Sequence, residues 1–243
     1  MRHRLRVARA HILARFGLVR LAIAIARGKV DQIWVGDSNA AFFGGERLPP
    51  LGVGTTIERR WAWHLGPRLM YSVARDGFKP AMHRAVRRLG RLPHGRDVLW
   101  VFSFGEIDNR CHLAPRVAAG QDLDFVEAYV DRIRQLVADT GTPYGVIMIP
   151  VPPATELLVH ESFPVRGTNE ERLATHGILR KRLLDAVAAA PGSPGLIALD
   201  VCDELSDDQG WYRNDVHTDG VHPTDDGRAI AQAGLRRLLA SSR

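Results

Sequence analysis

Short apolar runs alternate along this chain with segments of helical periodicity, and that alternation leaves few folds open. Strand-like runs fall at 33–35, 69–73, 98–104, 145–149 and 196–201, and helical patterns at 56–65, 80–89, 124–139, 169–189 and 225–239. Thr55 with Glu58 and Thr168 with Glu171 have capping-box spacing, and Thr224 precedes two acids suited to a helix N-terminus. Strands that alternate with helices predict a parallel sheet covered on both faces. In such a sheet ligands bind where the strands end and loops lead into helices.

The 243 residues, 45% of them hydrophobic, suffice for one domain with a full core. Cys111 and Cys202 lie far apart, a spacing that suggests neither a disulfide framework nor a zinc knuckle, and a reducing, cytoplasmic setting is expected. The net charge of +6 is unevenly spread: residues 1–30 hold eight Arg/Lys and no acid, and residues 59–96 hold ten against Asp76 alone. Regional basicity argues against a nucleic-acid partner and for two segments that meet an anion or an anionic surface.

Residues 1–30 read as a basic amphipathic helix ahead of a catalytic domain at 31–243, with Leu5, Ile12, Phe16, Val19 and Ile23 on one face. Its apolar run at 21–26 is too short for a signal peptide or a membrane span. Such a helix either packs on the domain or lies on an anionic membrane surface.

Two polar motifs carry the chemistry. "GDSN" (36–39) follows the first strand, where a serine can expose its hydroxyl while its own N–H, near a helix N-terminus, points at the same reacting centre. "DGVHPT" (219–224) precedes the last helix and holds Asp219 and His222 three residues apart. Serine needs a base to take its proton, and the base needs a carboxylate to fix its tautomer, so the two motifs complement each other.

With a "GDS" after the first strand and a near-C-terminal "DxxH", the chain from residue 31 to the last helix resembles the SGNH, or GDSL-type, hydrolase superfamily. The resemblance implies a flavodoxin-like α/β/α sandwich on a five-stranded parallel sheet, with Ser38 as nucleophile, His222 as base and Asp219 as its orienter. It assigns oxyanion donors to the N–H groups of Ser38 and Gly77. In the third block, "GEIDNR" (105–110) departs from the usual "GxND" and resembles a "GEIDxR" branch; Ile107 stands where an asparagine donor is expected. Asn109 or Arg110 then supplies that donor, or it is absent. The same resemblance sets Asp108 and Arg110 in or near the site; Asp37, Asn39 and Glu106 within the motifs, His112 just after the third block and Arg75 at the start of the basic stretch 75–96 are further candidate substrate contacts. The other histidines, His64, His83, His94, His160, His176 and His217, lack the spacing of a base, and no convergent metal ligands are found.

The family's chemistry is acyl transfer through an acyl-serine, with no bound cofactor. The Arg- and Ala-rich composition suggests an actinobacterial chain, and the overall sequence is similar to sugar octanoyltransferases of methylglucose lipopolysaccharide synthesis. That implies a glucosylglycerate-type acceptor and an acyl-CoA or other activated donor, with basic residues holding the acceptor's carboxylate. A cytosolic carbohydrate esterase is the alternative. From another class, a silent glycan- or membrane-binding module remains.

Overall fold

Successive side chains of the first strand, β1 (Gln32–Gly36), enter two different cores: Ile33 and Val35 pack on one side of the sheet and Trp34 on the other. The computed structural model describes residues 16–45, 52–158, 161, 163–189, 192 and 194–241. A helix, α1 (16–26), precedes β1, which turns directly into α2 (Ser38–Gly44). A hairpin of β2 (Gly52–Ile57) and β3 (Arg60–His64) follows, then α3 (Met70–Asp76) and α4 (Pro80–Gly90). Next, β4 (Leu99–Ser103) leads through α5 (Glu106–Asp108) and a wide turn at Asn109–Leu113 into α6 (Ala114–Ala118). The remainder is α7 (Phe125–Thr140), β5 (Tyr144–Met148), α8 (Asn169–Ala188), β6 (Gly195–Leu199), α9 (Cys202–Leu205) and α10 (Asp225–Ser241).

Among the described residues the sheet has six strands, in the order β2-β3-β1-β4-β5-β6, not the expected five. All neighbours are parallel except β2, which pairs antiparallel with β3 at the edge. Without that edge strand the order is the flavodoxin-like 2-1-3-4-5. Helices α1, α3, α4, α7 and α8 contribute to one core, and α2, α9 and α10 to the other.

Two expectations fail here, and they fail together. Residues 56–65 are not helical: Glu58 and Arg59, with φ of 46° and 67°, make a two-residue turn of the kind that closes right-twisted hairpins. The following "RWAWH" is then a strand buried along its whole length. Residues 69–73, expected as a strand, belong instead to α3, because the Asp108 carboxylate accepts the N–H groups of Met70 (2.7 Å) and Tyr71 (3.0 Å) and caps that helix from 38 and 37 residues away.

α1 also turns a different face inward. Leu21 and Ile25 are buried, and Gly17 lies so close to the β2 backbone that a Cβ would stand 1.9 Å from the Val53 carbonyl oxygen. Phe16, Val19 and Ile23, expected on one apolar face that either packs or meets a membrane, are exposed; Leu5 and Ile12 lie outside the described residues, as does His160. No helix among the described residues is long and apolar enough to cross a membrane, and no cluster of His, Cys, Asp or Glu there is arranged to hold a metal ion.

Candidate active site

The site is assembled at the carboxyl ends of the strands. β1 ends in Gly36, where any side chain would collide with the Ser103 carbonyl of β4: a Cβ would lie 1.9 Å from that oxygen. Only glycine lets the two strands stay paired at this point, and the chain then turns at once into α2. Asp37 caps α2, its Oδ1 accepting the Asn39 N–H at 2.9 Å. Ser38 is thereby the first helical residue, with an N–H that has no acceptor inside the helix.

His222 comes to this point from the other end of the chain. Its Nδ1 lies 2.6 Å from Asp219 Oδ2, while Asp219 Oδ1 accepts the backbone N–H groups of His222 (2.8 Å) and Val221 (3.0 Å). The turn requires Gly220, which has φ of 83° and sits where a Cβ would be 2.4 Å from the Glu156 carbonyl oxygen. Two further bonds hold it: the Gly220 N–H donates to His217 Nδ1 (3.0 Å) and the Leu158 N–H to the Asp219 carbonyl (3.0 Å). Burial opposes ionisation of Asp219, but the hydrogen bonds from the ring and backbone of His222 outweigh it and hold the carboxyl down at about 2. An ionised Asp219 fixes the proton of neutral His222 on Nδ1 and leaves Nε2 as the basic atom. That Nε2 is buried and has no hydrogen-bond partner among the described residues.

Ser38, Asp219 and His222 line one cavity of about 290 Å³ with His64, Pro67, Ile107, Arg110, Leu158, Phe163 and Val221. Ser38 and Phe42 are four apart and so share a face of α2, and the Phe42 ring packs on the His222 imidazole with centroids 4.5 Å apart. The same helix thus carries Ser38 and supports the His222 ring.

The rest of the sequence-derived constellation divides. Asp37 and Asn39 are buried beneath Ser38 and do not line the cavity. Burial, reinforced by the charge of Glu106, pushes the Asp37 carboxyl well above the usual range. Arg110 reaches the cavity, but its guanidinium is held bidentately by buried Glu106 (2.6 and 3.0 Å) and donates to the Phe163 carbonyl at 2.5 Å. Asp108 caps α3 and does not line the cavity. Asn109 is buried and off the cavity wall, whereas Ile107 is on it. Arg75 and His112 are exposed and outside the lining; Arg75 pairs with Asp76 at 2.8 Å.

Gly77 needs a correction. It ends α3 with φ of 65°, and its N–H is already donated to the Val73 carbonyl at 2.8 Å, so it has no proton to offer an oxyanion. The glycine that follows a sheet strand is Gly66, two residues past β3, with φ of 77° and beside the cavity residues His64 and Pro67. Its signal was the period-2 alternation of "RWAWH", which the overlapping capping-box spacing masked.

The strand order, the turn that mounts Ser38 and the loop that carries His222 together form the SGNH-hydrolase fold. Solved structures with similar backbones include a GDSL-like lipase from Bacteroides thetaiotaomicron, 12% identical, with a TM-score of 0.53 over 89% of this chain and 91% of that one. A carbohydrate esterase family 3 protein from Talaromyces cellulolyticus is 12% identical, with a TM-score of 0.52 over 87% and 97%. An acetylxylan esterase from Geobacillus stearothermophilus is 14% identical, with a TM-score of 0.50 over 86% and 93%. No family model and no curated protein matches the sequence.

Proposed function

We propose that the protein cleaves a carboxylic ester of a carbohydrate through an acyl-Ser38 intermediate. One observation carries this reading: a serine at a helix start and a carboxylate-paired histidine with an uncommitted Nε2 line the same cavity. The names of proteins with this fold, esterases and a lipase, support the class of reaction.

In this mechanism Ser38 Oγ attacks the ester carbonyl carbon as its proton passes to His222 Nε2. Negative charge develops on the carbonyl oxygen, which accepts from the N–H groups of Ser38 and Gly66. The tetrahedral intermediate collapses by breaking the bond to the alkoxy oxygen, and the departing alcohol takes the proton from His222. A second hydroxyl then attacks the acyl-serine with His222 again as base, restoring Ser38. If that hydroxyl is water, the product is a free acid; if it belongs to a sugar, the acyl group is transferred.

The finer reading is octanoyl transfer to a glucosylglycerate-type acceptor. It needs a cation for the acceptor's carboxylate, and Arg110 is the cavity's only lining Arg or Lys among the described residues. Its pairing with Glu106 makes Arg110 a weak anchor, which favours the esterase reading. Incubation of the protein with an octanoyl ester, alone and with saturating glucosylglycerate or a neutral glucoside, separates the two. Free acid in all cases establishes the esterase; an acylated glucosylglycerate, formed in preference to an acylated neutral glucoside, establishes the transferase. If none of a panel of acyl esters is consumed, the reading fails and the silent binding module takes its place.

A further inference from the structure

A second cavity, of about 360 Å³, adjoins the first at His64, which lines both. Its walls are Leu18 from α1, Trp63 from β3, Leu65, Phe78, and Met82 and Ala85 from α4. Among the described residues the lining Arg and Lys are Arg68, whose guanidinium donates to the Gly77 carbonyl at 2.6 Å, and exposed Lys79. The volume is that of small-molecule sites, which span about 300–1,000 Å³. Most of its lining side chains are apolar, so an alkyl group gains by leaving water for it.

The segment 64–68 is the partition between the two cavities: His64 and Pro67 face the catalytic side, and His64, Leu65 and Arg68 face the other. Gly66 lies in this partition, so an ester whose carbonyl oxygen points at its N–H has its acyl carbon at the boundary. We propose that the second cavity receives the alkyl chain of the acyl group carried on Ser38, which makes the substrate a medium- or long-chain ester rather than an acetate. This inference rests on the acyl-serine reading and extends it to the acyl part of the substrate. It places the chain on the α1–α4 side of the sheet and the alcohol on the side of Leu158 and Phe163. α1 supplies Leu18 to the cavity wall.

Ala85 is partly buried and Ala81, also in the lining, is exposed, so Ala85→Phe and Ala81→Trp fill the space from its outer wall without touching the catalytic groups. The experiment measures kcat/KM on p-nitrophenyl acetate, butyrate, octanoate and decanoate for the wild type and both variants, with octanoate binding by calorimetry alongside. The wild type is expected to favour octanoate over acetate. Each variant is expected to lose about tenfold or more on the octanoyl and decanoyl esters and to stay within about twofold on acetate, the loss growing with each methylene excluded. Octanoate binding is expected to weaken in parallel. An unchanged chain-length profile in folded variants overturns the proposal and leaves the esterase reading standing. Loss of octanoate binding in Lys79→Ala with an unaltered ester profile also overturns it, because the site then captures a free carboxylate. If no ester is cleaved, the acyl-serine reading falls by itself; octanoate that binds the wild type and not Ala85→Phe still places an alkyl chain in the cavity.

Discussion

Asp219 spends one carboxylate oxygen on two backbone N–H groups of its own turn and the other on the His222 ring. In the proposed mechanism the orienter of His222 is therefore also the staple of the loop that carries it. Asp219→Asn is expected to keep most of the loop's structure, because one side-chain oxygen can still accept the N–H groups, yet to lose turnover as the imidazole loses its fixed tautomer. Ser38→Ala and His222→Ala should each reduce ester cleavage by about 10⁴-fold or more, and the double variant by hardly more, since members of a triad act as a unit. Losses that multiply in the double variant would count against a shared role. Asp108 gives a second test at this scale. Burial raises its carboxyl to about 6, against the pull of the two α3 N–H groups. Because the unfolded chain releases this proton near the ordinary value of 3.8, the native state is favoured below it and loses ground as pH rises to about 6. Denaturant titrations of wild type and Asp108→Asn should show the variant gaining about 3 kcal/mol relative to wild type between pH ~3 and ~7. A pH-independent difference would mean that folding does not shift this carboxyl.

At the scale of elements, most of the sheet and its covering helices were legible in the sequence, because β1, β4, β5 and β6 are apolar on both faces and α4, α7, α8 and α10 follow helical periodicity. The unreadable part was the β2–β3 hairpin and α3. Glu58 and Arg59 adopt positive φ without the glycine or asparagine that usually marks such a turn. The start of α3 is capped by a residue far along the chain, which no local window contains. That error carried forward to the site, since a strand placed at 69–73 moved the following glycine from Gly66 to Gly77. The N-terminal helix shows the opposite effect: the apolar periodicity was real, but the face that packs is the one with Gly17, Leu21 and Ile25, and the close approach of Gly17 to β2 selects it. Deleting residues 1–27 should destabilise the protein by about 3–6 kcal/mol, the value of burying Leu21 and Ile25, as read by denaturant unfolding. We also propose that exposed Phe16, Val19 and Ile23, beside Arg20, contact an anionic membrane surface. The intact protein should then sediment with anionic vesicles at low salt and be released as salt screens the arginines. No sedimentation at low salt would retire that contact.

For the molecule as a whole, the sheet brings "GDSN" and "DGVHPT", separated by some 180 residues of chain, to one cavity. That convergence was legible because "GDSN" marks the turn from the first strand into a helix and "DGVHPT" the approach to the last helix. The third-block residues were less so: Asp108, Asn109 and Arg110 are consecutive, yet only Arg110 reaches the cavity while Asp108 turns to α3. Sequence proximity to a motif does not fix which way a side chain faces. The central claim is that Ser38 is a nucleophile activated by the His222–Asp219 pair, and covalent trapping tests it most directly. Treatment with a fluorophosphonate, followed by peptide mass spectrometry, should place one phosphonyl group on Ser38 in the wild type, at a rate much reduced in His222→Ala, and none in Ser38→Ala. Labelling that persists in Ser38→Ala, or a wild type that cleaves esters while Ser38 stays unmodified, would contradict the account.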